Sequence, residues 1–383
     1  AEGLALDDLS SWIHAAPRPV LATLRSRDEG GAFTGTPQEA ARRLLDAAHA
    51  GARFLDVEGP VAAWLPTLPA TVDVIASQHG MASAVLPDVV GGRPPLAWKV
   101  ARPVDDAAAL ARVRREATQP TPLPRTVVPY GRLGAVRSAL CPPGGLLFGS
   151  AASGESVVGG QPSLGALLDE LRAGEVTPDA RLYGLLGQPP THSPSPAMHN
   201  AAFRRLALDA LYVPLPDVSV DDALRLPFDG YSVTTPFKTR ALAAAASADR
   251  TARAIGAANT LVRRADAWHA LNTDAVAIAS SGPAGDGAGA FVDGSGGYAR
   301  AAAYALAGRG YAVRLGARHV ARGRAVAASG GWSFDGTRYV RRPEDRVLLN
   351  ATPAGAEGRG PEALALADYE GLVVLDAPYA PDG

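Results

Sequence analysis

The chain has 383 residues, enough for two or three domains, and 47% of them are hydrophobic against 20% charged, the balance of an ordinary globular protein. A formal net charge of -1 gives no electrostatic reason to expect nucleic acid or an anionic membrane as a partner. The single cysteine, Cys141, excludes an internal disulfide and any multi-cysteine metal site, and no apolar run reaches the ~18 residues of a membrane span. No basic-then-apolar start is visible at Ala1, so a reducing, cytoplasmic location is the expectation, with no metal and no obligate protein partner.

Along the chain, short apolar runs alternate with helical patterns. Residues 19–24 read as a strand. Thr36-Pro37-Gln38-Glu39 then supplies an N-cap, a proline at N1 and a capping-box glutamate, which predicts a helix over 40–50. Strands are expected at 52–57, 72–76, 96–100, 126–128 and 146–148, and helices at 104–116 and 164–171. This alternation points to an α/β fold beginning with a (β/α) barrel over residues 1–175. An eight-fold barrel usually takes ~200–250 residues, so an incomplete barrel is expected.

A linker at 173–179 precedes a restart of the βα pattern at 182–185. A compact α/β region over 180–281 and a Rossmann domain over 288–383 are expected, joined by the Gly/Pro-rich stretch 282–289. In the second of these, a strand at 290–293 is followed by Gly294-Ser295-Gly296-Gly297-Tyr298-Ala299 and a helix at 298–307. Glycines in such a turn let backbone approach a pyrophosphate whose charge sits at the helix N-terminus. The next strand, 312–315, ends in Gly316-Ala317-Arg318-His319 rather than in an acid. Arginine at that place suits a 2′-phosphate and favours NADP over NAD. Asp293 puts a carboxylate beside the same turn and opposes tight binding.

Four more segments place hydroxyls, amides or charges on turns. They are His192-Ser193-Pro194-Ser195-Pro196 with His199-Asn200, Ser232-Val233-Thr234-Thr235-Pro236-Phe237-Lys238, Gly256-Ala257-Ala258-Asn259-Thr260, and Asn272-Thr273-Asp274. Such groups suit a small polyhydroxylated carboxylate, with serines and threonines for the carboxylate and Asn259 and Asp274 for ring hydroxyls. A lysine and an aspartate beside a carbonyl polarise it and manage the proton that accompanies hydride transfer. Taken singly, each segment is also what an ordinary turn contains.

In order, and followed by the glycine turn, Asn350-Ala351-Thr352-Pro353 and Asp376-Ala377-Pro378, these segments resemble shikimate dehydrogenases over residues 180–383. The resemblance implies that Ser193, Ser195 and Thr234 bind substrate, that Asn259 orients its ring, and that Lys238 and Asp274 are the catalytic pair. It also implies an NADP(H) site at Gly294, Ser295, Gly296, Gly297, Arg318, Asn350 and Thr352. Closing helices that carry a substrate-binding glutamine in the family would follow Gly383. Ala317 and Asp293 depart from the family, which has Asn and an aliphatic residue there.

In the first half, Lys99 ends a strand-like run and His79 follows another, where barrel enzymes place catalytic groups. A lysine imine withdraws electrons so that a histidine can remove the proton on the adjacent carbon. The spacing resembles type I 3-dehydroquinate dehydratases over residues 10–175. It implies Lys99 as the imine lysine, His79 as acid/base, Glu29 as its neighbour, and Arg25, Arg137 and Gln161 as substrate-binding residues. The family's first strands would precede Ala1, and Gly80 and Val157 depart from its pattern. Together the two resemblances imply a shikimate-pathway fusion acting on 3-dehydroquinate, 3-dehydroshikimate and shikimate. The alternatives are a reductase with a degenerate first half, an NAD-dependent quinate/shikimate dehydrogenase, and a nucleotide-binding regulatory module.

Overall fold

The computed structural model describes residues 6–80, 86–141, 145–150, 161–187, 193–281, 284–353 and 369–377. It separates into two units, one of Ala1–Arg181 with Ala197–Val213 and one of Leu182–Pro196 with Pro214–Gly383. His192, Val157 and Pro378 lie outside the described residues, as does part of the stretch 282–289. Among the described residues, no helix is long and apolar enough to cross a membrane.

The first unit opens with α1 (Leu6–Ala15), β1 (Leu21–Thr23), α2 (Pro37–His49), β2 (Phe54–Glu58), α3 (Gly59–Ala62) and β3 (Asp73–His79). It continues through β4 (Ala97–Pro103), α4 (Ala107–Thr118) and β5 (Arg125–Tyr130). The capping box is present: Thr36 accepts from Glu39 N, and Glu39 accepts from the Thr36 backbone. Leu44 of α2 is buried in one core cluster with Leu55, Val57 and Val74, and full burial of a leucine stabilises by about 1.5–3 kcal/mol.

The five strands are parallel and lie in the order β1-β2-β3-β4-β5. Unbroken sequential order is that of an arc of a (β/α) barrel, whereas a doubly wound sheet reverses its order midway. Because side chains alternate across a strand, one register row carries Glu58, Ser77, Lys99 and Thr126 on a single face.

Several expectations need correction. Residues 146–148 form no strand, because Leu146 N donates to the Thr126 side chain at 2.9 Å instead of joining a backbone ladder. His79 is the last residue of β3 rather than following it, and Lys99 stands inside β4 rather than at its end. The helix expected at 104–116 starts at Ala107, since Asp106 caps it by accepting from Ala109 N at 2.7 Å. The helix at 164–171 is π-helical over Ala166–Glu170. The helix α1 has no counterpart among the sequence expectations.

The chain continues through β6 (Arg181–Leu186), α5 (Ser195–Arg205), β7 (Ala210–Leu215), α6 (Val220–Ala223), β8 (Gly230–Val233) and α7 (Lys238–Ala244). Then come β9 (Ser247–Ala248), α8 (Arg250–Ile255), β10 (Thr260–Arg264), β11 (Ala267–Leu271) and α9 (Thr273–Ser280). In the second unit β6 pairs parallel with β8, which runs antiparallel to β10, which in turn forms a hairpin with β11.

The last elements are β12 (Gly289–Asp293), α10 (Gly297–Gly308), β13 (Ala312–Gly316), α11 (Val320–Gly330), β14 (Ser333–Phe334), β15 (Asp345–Asn350) and β16 (Val373–Asp376). Their sheet is parallel with order β14-β13-β12-β15-β16. Counted from β12 this is 3-2-1-4-5, so the order reverses between β12 and β15, where open α/β sheets bind ligands at the strands' carboxyl ends. Ala301, Ala302 and Ala303 of α10 are fully buried, so small residues let this helix lie close on β12 and β13.

Candidate active sites

In the first unit, charged groups converge at the carboxyl ends of the strands. Arg25 follows β1, and a turn over Arg27–Glu29 brings Glu29 back to it. Gly30, at φ +83°, ends that turn, and a side chain at Gly31 would overlap Arg25. Arg25 is paired with Glu29 at 3.2 Å, Asp56 at 3.1 Å and Glu58 at 2.9 Å. Lys99 Nζ donates to Asp56 Oδ2 at 2.7 Å, and Ser77 Oγ donates to Asp56 Oδ1. His79 Nδ1 lies 2.9 Å from Glu29 Oε2, and the Phe148 ring covers Lys99 Nζ at 4.2 Å.

These charges set the protonation states. Burial pushes Asp56 upward, but Lys99 and Arg25 outweigh it, aided by bonds from Lys99 and Ser77, and hold the carboxyl below its usual range. Burial pushes His79 below its ordinary value, and the bond to Glu29 opposes this without reversing it. A neutral imidazole beside a lysine is a proton acceptor aligned by a carboxylate.

Arg137 is buried, and its guanidinium donates to backbone carbonyls, including Phe148 O at 2.9 Å. It therefore holds the segment that carries the ring over Lys99. Gln161 is half-buried, and among the described residues it makes no hydrogen bond or ion pair with this cluster.

In the second unit, α7 begins at Lys238 and Asn272 caps α9, accepting from Ala275 N at 3.2 Å. Asp274 thus sits in the first turn of α9, where a helix dipole favours negative charge. Lys238 Nζ donates to Asp274 Oδ2 at 2.6 Å, and both side chains are largely buried. Asn259 Nδ2 donates to Asp274 Oδ1 and to Thr273 Oγ1, each at 2.8 Å, while its Oδ1 accepts from Thr273 N at 2.8 Å. A single amide therefore fixes the carboxylate that meets the lysine. Thr234 packs against Gly187 at the end of β6, and Ser193 Oγ donates to Ser195 Oγ at 3.0 Å.

The glycine turn adjoins this pair. A Cβ at Gly297 would stand 2.9 Å from the Lys238 side chain, and the Tyr298 ring lies 5.5 Å from Lys238 Nζ. Gly294 takes φ +135° at the end of β12, where a side chain would press on the Ala351 carbonyl at 3.0 Å. Asn350, at the end of β15, donates to Asp376 at 2.8 Å and accepts from Thr352 N at 2.9 Å and Thr352 Oγ1 at 2.7 Å. Arg318 is exposed just past β13 and, among the described residues, makes no hydrogen bond or ion pair.

Residues 185–261 match the model of the shikimate dehydrogenase substrate binding domain. Over nearly its whole length, 98%, the chain is 30% identical to a bifunctional 3-dehydroquinate dehydratase/shikimate dehydrogenase of Arabidopsis thaliana, covering 69% of that protein. The chain belongs to this bifunctional dehydratase/dehydrogenase family.

Its dehydrogenase half is 40% identical, over 53% of the chain and 80% of the relative, to the NADP(+) shikimate dehydrogenase of Anaeromyxobacter sp. strain K. A solved shikimate dehydrogenase of Thermus thermophilus, in complex with NADP(H) and shikimate, is 31% identical with TM-score 0.46, over 52% of this chain and 80% of that one.

In this bifunctional enzyme the candidate sites also contain Asp56, Glu58, Ser77, Phe148 and Tyr298, which no motif in the sequence marks. Phe54-Leu55-Asp56-Val57-Glu58 carried a signal, because acids alternating with apolar residues in a buried strand must face partners. The glycine turn fits a dinucleotide phosphate: a Cβ at Gly296 would meet open space, and Gly296 caps α10 without a side-chain hydrogen bond, leaving first-turn amides to an anion.

Proposed function

We propose that the chain dehydrates 3-dehydroquinate in its first half and reduces the resulting 3-dehydroshikimate to shikimate, with NADPH, in its second. Residues 1–175 are assigned to the dehydratase, 180–281 to reductase substrate binding, and 288–383 to the dinucleotide. The observation that carries the reductase is Lys238 paired with an Asp274 fixed by Asn259, directly against the glycine turn.

In the reduction, Ser193, Ser195 and Thr234 take the substrate carboxylate and Asn259 with Asp274 its ring hydroxyls. Lys238 donates a proton to the ketone oxygen as the carbon accepts hydride, so the carbonyl becomes an alcohol. NADPH supplies that hydride when bound. Gly294, Ser295, Gly296 and Gly297 would hold its phosphates, with Asn350 and Thr352 at the switch point and Arg318 at the 2′-phosphate.

In the dehydration, the Lys99 amine adds to the ketone carbon and a water leaves, giving an imine. His79, kept neutral by burial, removes a proton from the adjacent carbon and returns it to the ring hydroxyl beyond, which departs as a second water. Hydrolysis of the imine frees the ketone and returns Lys99. Arg25 and Gln161 are proposed substrate contacts, with Arg137 supporting the segment that covers Lys99. A reducing compartment, the cytoplasm, is the proposed location.

The test is NADPH oxidation with 3-dehydroquinate as sole substrate, followed by 3-dehydroshikimate in the same sample. Oxidation from the first addition supports both activities. Oxidation only from the second leaves the reductase and removes the dehydratase. Silence after both overturns the proposal.

A further inference from the structure

From the dehydratase reading, on which this rests, we infer that Asp56 is the counter-ion that keeps the Lys99 imine protonated through the dehydration. An imine withdraws electrons from its neighbouring carbon only as the iminium, and the positive nitrogen must be stabilised where water is scarce. Asp56 is 1% exposed and its Oδ2 lies 2.7 Å from Lys99 Nζ, the atom that becomes the imine nitrogen. Its other oxygen is held by Ser77 and Arg25. One oxygen is thus anchored while the other points at the nitrogen.

The other charged groups around Asp56 divide the work. Arg25, after β1, is shared with Glu29 and with Glu58 of β2, so its charge is met by three carboxylates. His79, on β3, is bonded to Glu29 instead. Lys99, on β4, has Asp56 as its ion-pair partner and the Phe148 ring 4.2 Å from its Nζ. Buried, paired and held below the usual carboxylate range, Asp56 stays ionised across the pH at which an enzyme of this kind works.

The proton balance is simple. Counted from the ammonium paired to Asp56, the Lys99 nitrogen bonds to the ketone carbon, two of its hydrogens leave with the ketone oxygen as water, and it keeps the third and the positive charge. Asp56 accepts a hydrogen bond from that N–H without taking the proton. When His79 removes the proton from carbon, the electron pair moves to the neutral enamine. His79 returns that proton to the departing ring hydroxyl, which leaves as water, and the iminium forms again against Asp56.

The experiment is borohydride trapping with 3-dehydroquinate on the full chain, read by mass at Lys99 across pH and beside the dehydration rate. The wild type is expected to trap an adduct. Asp56→Asn keeps the shape and removes the charge, and is expected to lower the rate about 100-fold, the effect of losing one electrostatic stabiliser in a water-excluded site. Its trapping should fail at a pH lower by about one unit or more, because the iminium loses its proton more readily.

Where Asp56→Asn does not fold, Ser77→Ala, which leaves both charges and removes one of the two bonds that anchor Asp56 Oδ1, is expected to shift the same profile in the same direction. A wild type that traps nothing at Lys99 removes the dehydratase reading and this inference with it. A wild type that traps, with a variant that is folded and keeps the wild-type rate and pH profile, overturns the role of Asp56 alone.

Discussion

Lys238 Nζ and Asp274 Oδ2 stand 2.6 Å apart although the residues are 36 positions apart in sequence, one opening α7 and the other in the first turn of α9. Two helix starts are brought together, and the glycine turn of the dinucleotide domain lies against the lysine stem. The proposed proton donor and the proposed hydride source are therefore adjacent by construction.

Removing the amine should separate chemistry from binding. Lys238→Ala is expected to lower the reductase rate by about 10²- to 10⁴-fold, the range for loss of a positioned acid. NADPH affinity, measured by fluorescence titration, should be nearly unchanged, since the glycine turn and Arg318 remain. Loss of NADPH binding in the variant would instead make Lys238 part of the cofactor's support.

Arg318 lies exposed past β13 with its guanidinium uncommitted among the described residues. If it meets the 2′-phosphate, Arg318→Ala removes charge-assisted bonds that NADH never had. The preference for NADPH over NADH, as a ratio of kcat/KM values, should fall about 10- to 100-fold. An unchanged ratio takes Arg318 out of the site.

How much of this could be read beforehand follows from period and spacing. β12, α10 and β13 were legible because a glycine turn between a strand and a helix is local information, and Lys238, Asn259 and Asp274 were named from motif order. The polar row Glu58, Ser77, Lys99, Thr126 was not legible, because register between strands is long-range and each residue alone reads as an ordinary strand position. The strand foreseen at 146–148 failed for a related reason: apolar character was visible, but the Thr126 hydroxyl that takes the Leu146 amide was not.

The dehydratase should keep its activity as pH falls through the ordinary imidazole range. His79 is held below its ordinary value of 6.5, so the imidazole stays neutral as pH falls through 6.5 and protonates only beneath it. The acid limb of the dehydration rate should therefore lie below pH 6.5. Glu29→Gln replaces the anionic acceptor that favours the charged ring with a neutral one, so the limb should move further down while the rate falls as the ring is held less firmly. A limb at or above 6.5 in the wild type would mean that another group controls it.

Asn259 gives the sharpest test of the reductase geometry. Its Nδ2 lies 2.8 Å from Asp274 Oδ1, so Asn259→Ala frees the carboxylate to rotate away from Lys238. The rate should fall and KM should rise, since a proposed ring contact is lost as well. Asn259→Asp sets a second carboxylate against Asp274, and like charges at this separation push one of the pair to hold a proton. At neutral pH the variant should be poorer than Asn259→Ala, because the new anion competes for the Lys238 ammonium. As pH falls, the new carboxylate takes up a proton and can donate to Asp274 as the amide did. Activity relative to wild type should then recover toward acid pH in Asn259→Asp and not in Asn259→Ala. Parallel pH profiles for the two variants would show that Asn259 acts on the substrate without setting Asp274.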